Sequence, residues 1–120
     1  MAYTVHEGQC RIAVNHCLKE APRPVLQGGL AHELCHIQAD LGLRGYQRDL
    51  AWRRYAESRW CRMREERATE ERVIALGYGP HLLALMRYAK RFGYSFSREH
   101  GLLYAEIVHR LEKMRRRRPD

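Results

Sequence analysis

The stretch Leu30-Ala31-His32-Glu33-Leu34-Cys35-His36-Ile37 decides how the rest of the chain is read. With Val25 and Leu26 before it, its apolar residues predict an amphipathic helix from about Pro24 to Asp40. Proline is favourable at a first helical position, and Gly42 and Gly45 mark the helix end and a loop. Residues four apart on a helix share one face, one turn apart, so His32 and His36 can chelate a single ion. Glu33 stands beside them, within reach of a water on that ion. Imidazole is a borderline donor suited to zinc. The plain alternative is a pair of surface or core histidines with no metal. Gly28 and Gly29 weaken the helix locally and leave room for another backbone to approach.

This is the H-E-x-x-H pattern of zinc peptidases, in which the carboxylate serves as general base. A catalytic zinc takes three protein ligands and keeps one position open for water. Six residues after His36 stands Gly42, not a third histidine, so the third ligand is sought in Glu65-Glu66-Arg67-Ala68-Thr69-Glu70-Glu71. That segment falls in a helical region from about Arg48 to Leu76, broken once, whose first part carries Leu50, Trp52 and Tyr55. Its inward stripe is expected to run through Trp60, Met63, Glu66 and Arg67, Glu70, Val73 and Ile74. Glu66 and Glu70 fall on this stripe, and Glu65 and Glu71 lie off its centre. A carboxylate on a core face is costly unless it is paired or bound to metal. Glu66 as ligand, with Glu70 accepting a hydrogen bond from a ligating imidazole, satisfies both. Glu70 as the direct ligand is the alternative, and a solvated glutamate face on an arginine-rich helix is the plain one.

The remaining sequence frames this core. At 120 residues the chain is one domain, with core motifs over 10–80, further helices over 81–116 and a basic tail over 115–120. Tyr3-Thr4-Val5 and Arg11-Ile12-Ala13-Val14 read as short strands around a turn at Gly8, and Ala21-Pro22-Arg23-Pro24 breaks the chain after them. Gly77-Tyr78-Gly79-Pro80 ends the long helical region. A helix then covers about His81–Phe92, with Leu82, Leu85, Met86 and Ala89 on one face. Ser97 is the expected N-cap of a last helix reaching about Arg116, with Leu103, Ile107, Leu111 and Met114 in register. The fold class is therefore α+β, mostly helical, with a small N-terminal hairpin or edge strands.

The net charge is +8 and the pI about 9.7. This permits a nucleic-acid or acidic-surface partner. Only Lys19, Lys90 and Lys113 among the 22 basic residues are lysines, and much of the arginine is interleaved with glutamate, which a GC-rich genome explains equally well. No apolar run reaches the roughly 20 residues of a membrane span, and the N-terminus lacks the pattern of a secretory signal. A cytoplasmic protein is expected. Cys10, Cys17, Cys35 and Cys61 form no C-x-x-C pair and are expected to be reduced, small and buried.

His32-Glu33-x-x-His36 followed by Glu66-x-x-x-Glu70 resembles the gluzincin metallopeptidases, whose third zinc ligand is a glutamate on a later helix. Their second motif is commonly E-x-x-x-D, often with a small residue before the aspartate. Thr69 fills that small position, and Glu70 replaces the aspartate with a longer carboxylate. In size the chain is similar to the minigluzincins. The resemblance implies a minimal zincin-like domain, one Zn2+ on His32, His36 and Glu66, Glu33 as general base, and a peptide or protein substrate. It also implies a substrate-binding edge strand at Arg11–Val14 and a tyrosine or histidine that stabilises the oxyanion, for which His81, Tyr78 and Tyr55 are candidates. Three other readings share these residues: a regulatory protease acting on a DNA-associated protein, a non-catalytic zinc-binding module, and a latent enzyme with a terminal segment in its cleft.

Overall fold

The computed structural model describes residues 1–6 and 9–117, apart from the side chain of His6. Gly8, the expected turn residue, and Arg118 of the basic tail lie outside the described residues. Strands β1 (Ala2–His6) and β2 (Gln9–Ala13) are followed by a 3-10 turn at His16–Leu18. Helices α1 (Arg23–Leu41), α2 (Gly45–Glu57), α3 (Arg59–Ala75) and α4 (Gly79–Lys90) come next. A second 3-10 turn at Arg98–His100 leads into α5 (Tyr104–Arg117). The fold is mostly helical α+β, as the sequence implies. β1 and β2 pair antiparallel with Tyr3 opposite Ile12 and Val5 opposite Cys10, and the hairpin packs on α1.

Ala31 and Cys35 of α1, Val73 and Ile74 of α3, Leu82 and Met86 of α4, Leu102, and Ile107 of α5 form one buried cluster. Val73 and Ile107 are fully buried, each stabilising the fold by about 1.5–3 kcal/mol relative to exposure. α1 and α4 pack most closely of all the helix pairs. Gly28 makes this possible: a Cβ there would overlap the backbone carbonyl of His81. The sequence therefore places a glycine where α4 begins to cross α1. The opposite end of α1 is closed by α2. Arg48 donates from Nε to the Asp40 carbonyl at 3.1 Å, joining the Leu43 amide that this carbonyl also accepts.

The single break in the long helical region falls at Ser58. Its backbone is extended, and its hydroxyl accepts the Cys61 amide at 3.2 Å as the N-cap of α3. Several expectations need correction. Trp60 is not on the inward stripe but 62% exposed, because the first turn of α3 runs beyond the core. Leu30 and Leu34 are likewise exposed, on a face of α1 that no described element covers. Ser97 caps the 3-10 turn rather than the last helix, which begins seven residues later at Tyr104. Of the four free cysteines only Cys35 is buried, and Cys10 is exposed.

Among the described residues no helix is long and apolar enough to cross a membrane. Four arginines pair with glutamate among the described residues, in Arg59–Glu99, Arg67–Glu106, Arg72–Glu65 and Arg110–Glu71.

Candidate metal centre

α1 and α3 lie side by side and bring the two halves of the motif together. His32 and His36 sit one turn apart on α1, and their Nε2 atoms are 3.1 Å from each other. Glu66 of α3 points at both: its Oε2 is 3.0 Å from His32 Nε2 and 3.2 Å from His36 Nε2. In a tetrahedral zinc site with bonds of about 2.0–2.1 Å, neighbouring donors stand about 3.3 Å apart. A triangle with edges of 3.0, 3.1 and 3.2 Å fits one face of that tetrahedron. His36 is 5% exposed and Glu66 12%, so these groups are not a chance cluster of solvated side chains.

The far sides of the two rings strengthen the fit. His32 Nδ1 lies 3.5 Å from Glu70 Oε2, and His36 Nδ1 lies 3.3 Å from the Thr69 hydroxyl and 3.6 Å from Glu65 Oε1. Acceptors at Nδ1 favour the tautomer that carries its proton there and turns the Nε2 lone pair inward, as metal ligation requires. Glu66 is oriented as well. The Tyr55 hydroxyl on α2 donates to Glu66 Oε1 at 2.6 Å, leaving Oε2 for the centre. The residues present could therefore hold a single metal ion.

The electrostatics follow from this packing. Burial disfavours the charged form of His32, but its contacts with Glu66 and Glu70 outweigh that and push its pKa up to about 10. Burial opposes charge on His36 too, and Glu65 and Glu66 push it up to about 9. Burial alone would raise Glu66, yet the two imidazoles hold its carboxyl far below the usual range. Glu33 moves the other way. Burial raises it, and the neighbouring imidazoles only partly offset the shift. Its carboxyl lines the same cleft of about 720 Å3 as His32, His36, Glu66 and Tyr55.

The hairpin reaches this cleft through β1. Met1, Ala2 and Tyr3 line it, and no residue of Arg11–Val14 does, which corrects the strand expected to border a substrate. The Tyr3 ring lies flat on His36, with centroids 5.3 Å apart and planes 14° apart, and its hydroxyl donates to the buried Asp40 at 2.7 Å. Trp52 of α2 also stands against the Tyr3 ring, tilted by 59° with centroids 5.7 Å apart.

Of the three candidates for oxyanion stabilisation, only Tyr55 is in the cleft lining, and its hydroxyl proton is engaged by Glu66. Tyr78 and His81 are not in the lining; they pack on each other at the start of α4, where His81 meets Gly28 one turn before His32. His100 lines the cleft instead. Tyr3, Asp40 and Glu65 join the site without a signal in the local sequence, and Thr69 adds a hydroxyl beside His36 to its small size. The Tyr3–Asp40 pair is 37 residues apart and the Thr69–His36 pair 33 apart, so local pattern carries no signal for either.

Comparisons of the chain with protein-family models, with curated proteins and with solved structures found no match in any of the three.

Proposed function

We propose that the chain is a zinc-dependent peptidase of gluzincin type. The observation that carries this reading is the triangle of His32, His36 and Glu66 donors, at the wall of a cleft that Glu33 also lines. Bound there, zinc supplies Lewis-acid chemistry, acidifying a water and polarising a carbonyl. Glu33 takes the proton of the attacking water and delivers it to the departing amine. Its burial, which raises its pKa, suits a group that must both accept and return a proton. Glu70 and Thr69 hold the two imidazoles in the ligating tautomer, and Tyr55 turns Glu66 toward them. Among the described residues β1 pairs on one edge only, and its first residues line the cleft. Its other edge suits an extended peptide, bound by main-chain hydrogen bonds.

A peptide-library cleavage assay on the zinc-loaded protein, with Glu33→Gln as control, tests the reading. Cleavage by the wild type that falls at least about a hundredfold in Glu33→Gln is expected. Zinc binding with no cleavage of any peptide would instead indicate a non-catalytic metal-binding module.

A further inference from the structure

We propose that the segment Arg98–Leu102, which joins α4 to α5, positions His32 through Glu70. The proposal rests on the reading of His32 as a metal ligand. The backbone amide of Leu102 donates to Glu70 Oε1 at 2.6 Å, in a buried contact. The other carboxylate oxygen, Oε2, is the one 3.5 Å from His32 Nδ1. One carboxylate is thus shared between the backbone of this segment and a ring on α1. A glutamate side chain has three rotatable bonds, and the Leu102 amide selects the rotamer that reaches His32.

The approach is as close as backbone allows. Gly101 has φ +135°, and a Cβ at this position would overlap Glu70 Oε1. The segment is held there from both sides. Arg67 donates from Nη1 to the Gly101 carbonyl at 3.2 Å and grips Glu106 with both terminal nitrogens, at 2.9 and 2.5 Å. Glu106 in turn accepts the Leu103 amide at 3.1 Å. The Leu102 side chain is 2% exposed and belongs to the core cluster. Glu99 and His100 of the same segment line the cleft. One short stretch of chain therefore builds a cleft wall and sets the orientation of a ring at the metal centre.

The test replaces the Leu102 amide by an ester, which deletes the donor and leaves every side chain in place. Arg67→Met, which withdraws the support from Gly101, is the milder second variant, and Arg67→Lys is its conservative partner. Two quantities are read: the ring 15N shifts of His32 and His36 in the metal-free protein, and the zinc Kd by chelator competition. The ester is expected to move the His32 ring signals and leave those of His36 in place. It is expected to weaken zinc binding roughly tenfold to a hundredfold, as loss of a group orienting a ligand does. Arg67→Met should give a smaller change of the same kind, partly restored in Arg67→Lys. If the wild type binds no zinc yet the ester moves the His32 signals, the positioning stands and the metal assignment falls. If the wild type binds zinc and the folded ester variant changes neither quantity, or shifts both rings alike, the positioning role is overturned.

Discussion

The Nε2 atoms of His32 and His36 face each other at 3.1 Å, and the same Glu66 oxygen lies within 3.2 Å of both. Burial opposes charge on both rings, but Glu66 and Glu70 beside His32, and Glu65 and Glu66 beside His36, favour the protonated forms and push both imidazoles above their ordinary range. Zinc binding to this group at pH 7 should therefore expel roughly one to two protons. Calorimetric titration in buffers of different ionisation enthalpy should report that number, and affinity should rise as the pH is taken from 7 toward 9. A binding enthalpy independent of buffer would count against this protonation state.

The same shifts fix a pH profile for stability. His32 and His36, raised to about 10 and about 9, contribute stability that is fully present below about 6.5 and lost as pH rises through those values. Glu66, held low, contributes stability present above its ordinary value of 4.5 and lost as pH falls toward its folded pKa. These are two sides of one interaction and count once. The metal-free protein should be most stable at mildly acidic pH and lose melting temperature toward pH 10. In the zinc-loaded protein this alkaline loss should shrink. Metal-free His32→Ala/His36→Ala should also show a shallower alkaline slope. A wild-type slope retained in that double variant would assign the effect elsewhere.

Tyr3 ties the hairpin to α1 through the hydroxyl that meets Asp40. Tyr3→Phe leaves the buried Asp40 carboxylate without this donor and should destabilise the protein by about 1–3 kcal/mol. Chemical denaturation measures it. Because the ring and its stacking on His36 remain, zinc stoichiometry should be unchanged.

Two glycines in helices should respond in opposite directions. Gly28→Ala forces a Cβ into the His81 carbonyl, a backbone atom that cannot move without displacing α4. A cost of about 1–3 kcal/mol or more is expected. Gly45, at the start of α2, has nothing within 4 Å of an added Cβ. There alanine should stabilise by about 0.4–1 kcal/mol through the unfolded chain. Paired melting curves of the two variants decide this.

How much of this was legible beforehand depended on the range of the signal. The helical spacing of His32 and His36, and the placement of Glu66 and Glu70 on one stripe of α3, are local patterns, and the structure brings all four together. The extension of that stripe to Trp60 failed because periodicity marks a face but not where the partner helix ends. Ser97 was a sound cap, but Gly101 at positive φ interrupts the chain before α5 and turns Leu102 into the core. Tyr3 looked like any strand residue, since its contacts with His36 and Asp40 depend on how the hairpin docks. Residue type alone suggests His81 and Tyr78, and the crossing of α4 over Gly28 leaves them outside the cleft lining.

Whether His32, His36 and Glu66 hold one zinc ion is decided by the metal content and affinity of Glu66→Ala beside the wild type. One zinc per wild-type chain is expected, and in folded Glu66→Ala an affinity lower on the order of a hundredfold or more. Wild-type zinc affinity in Glu66→Ala would contradict it.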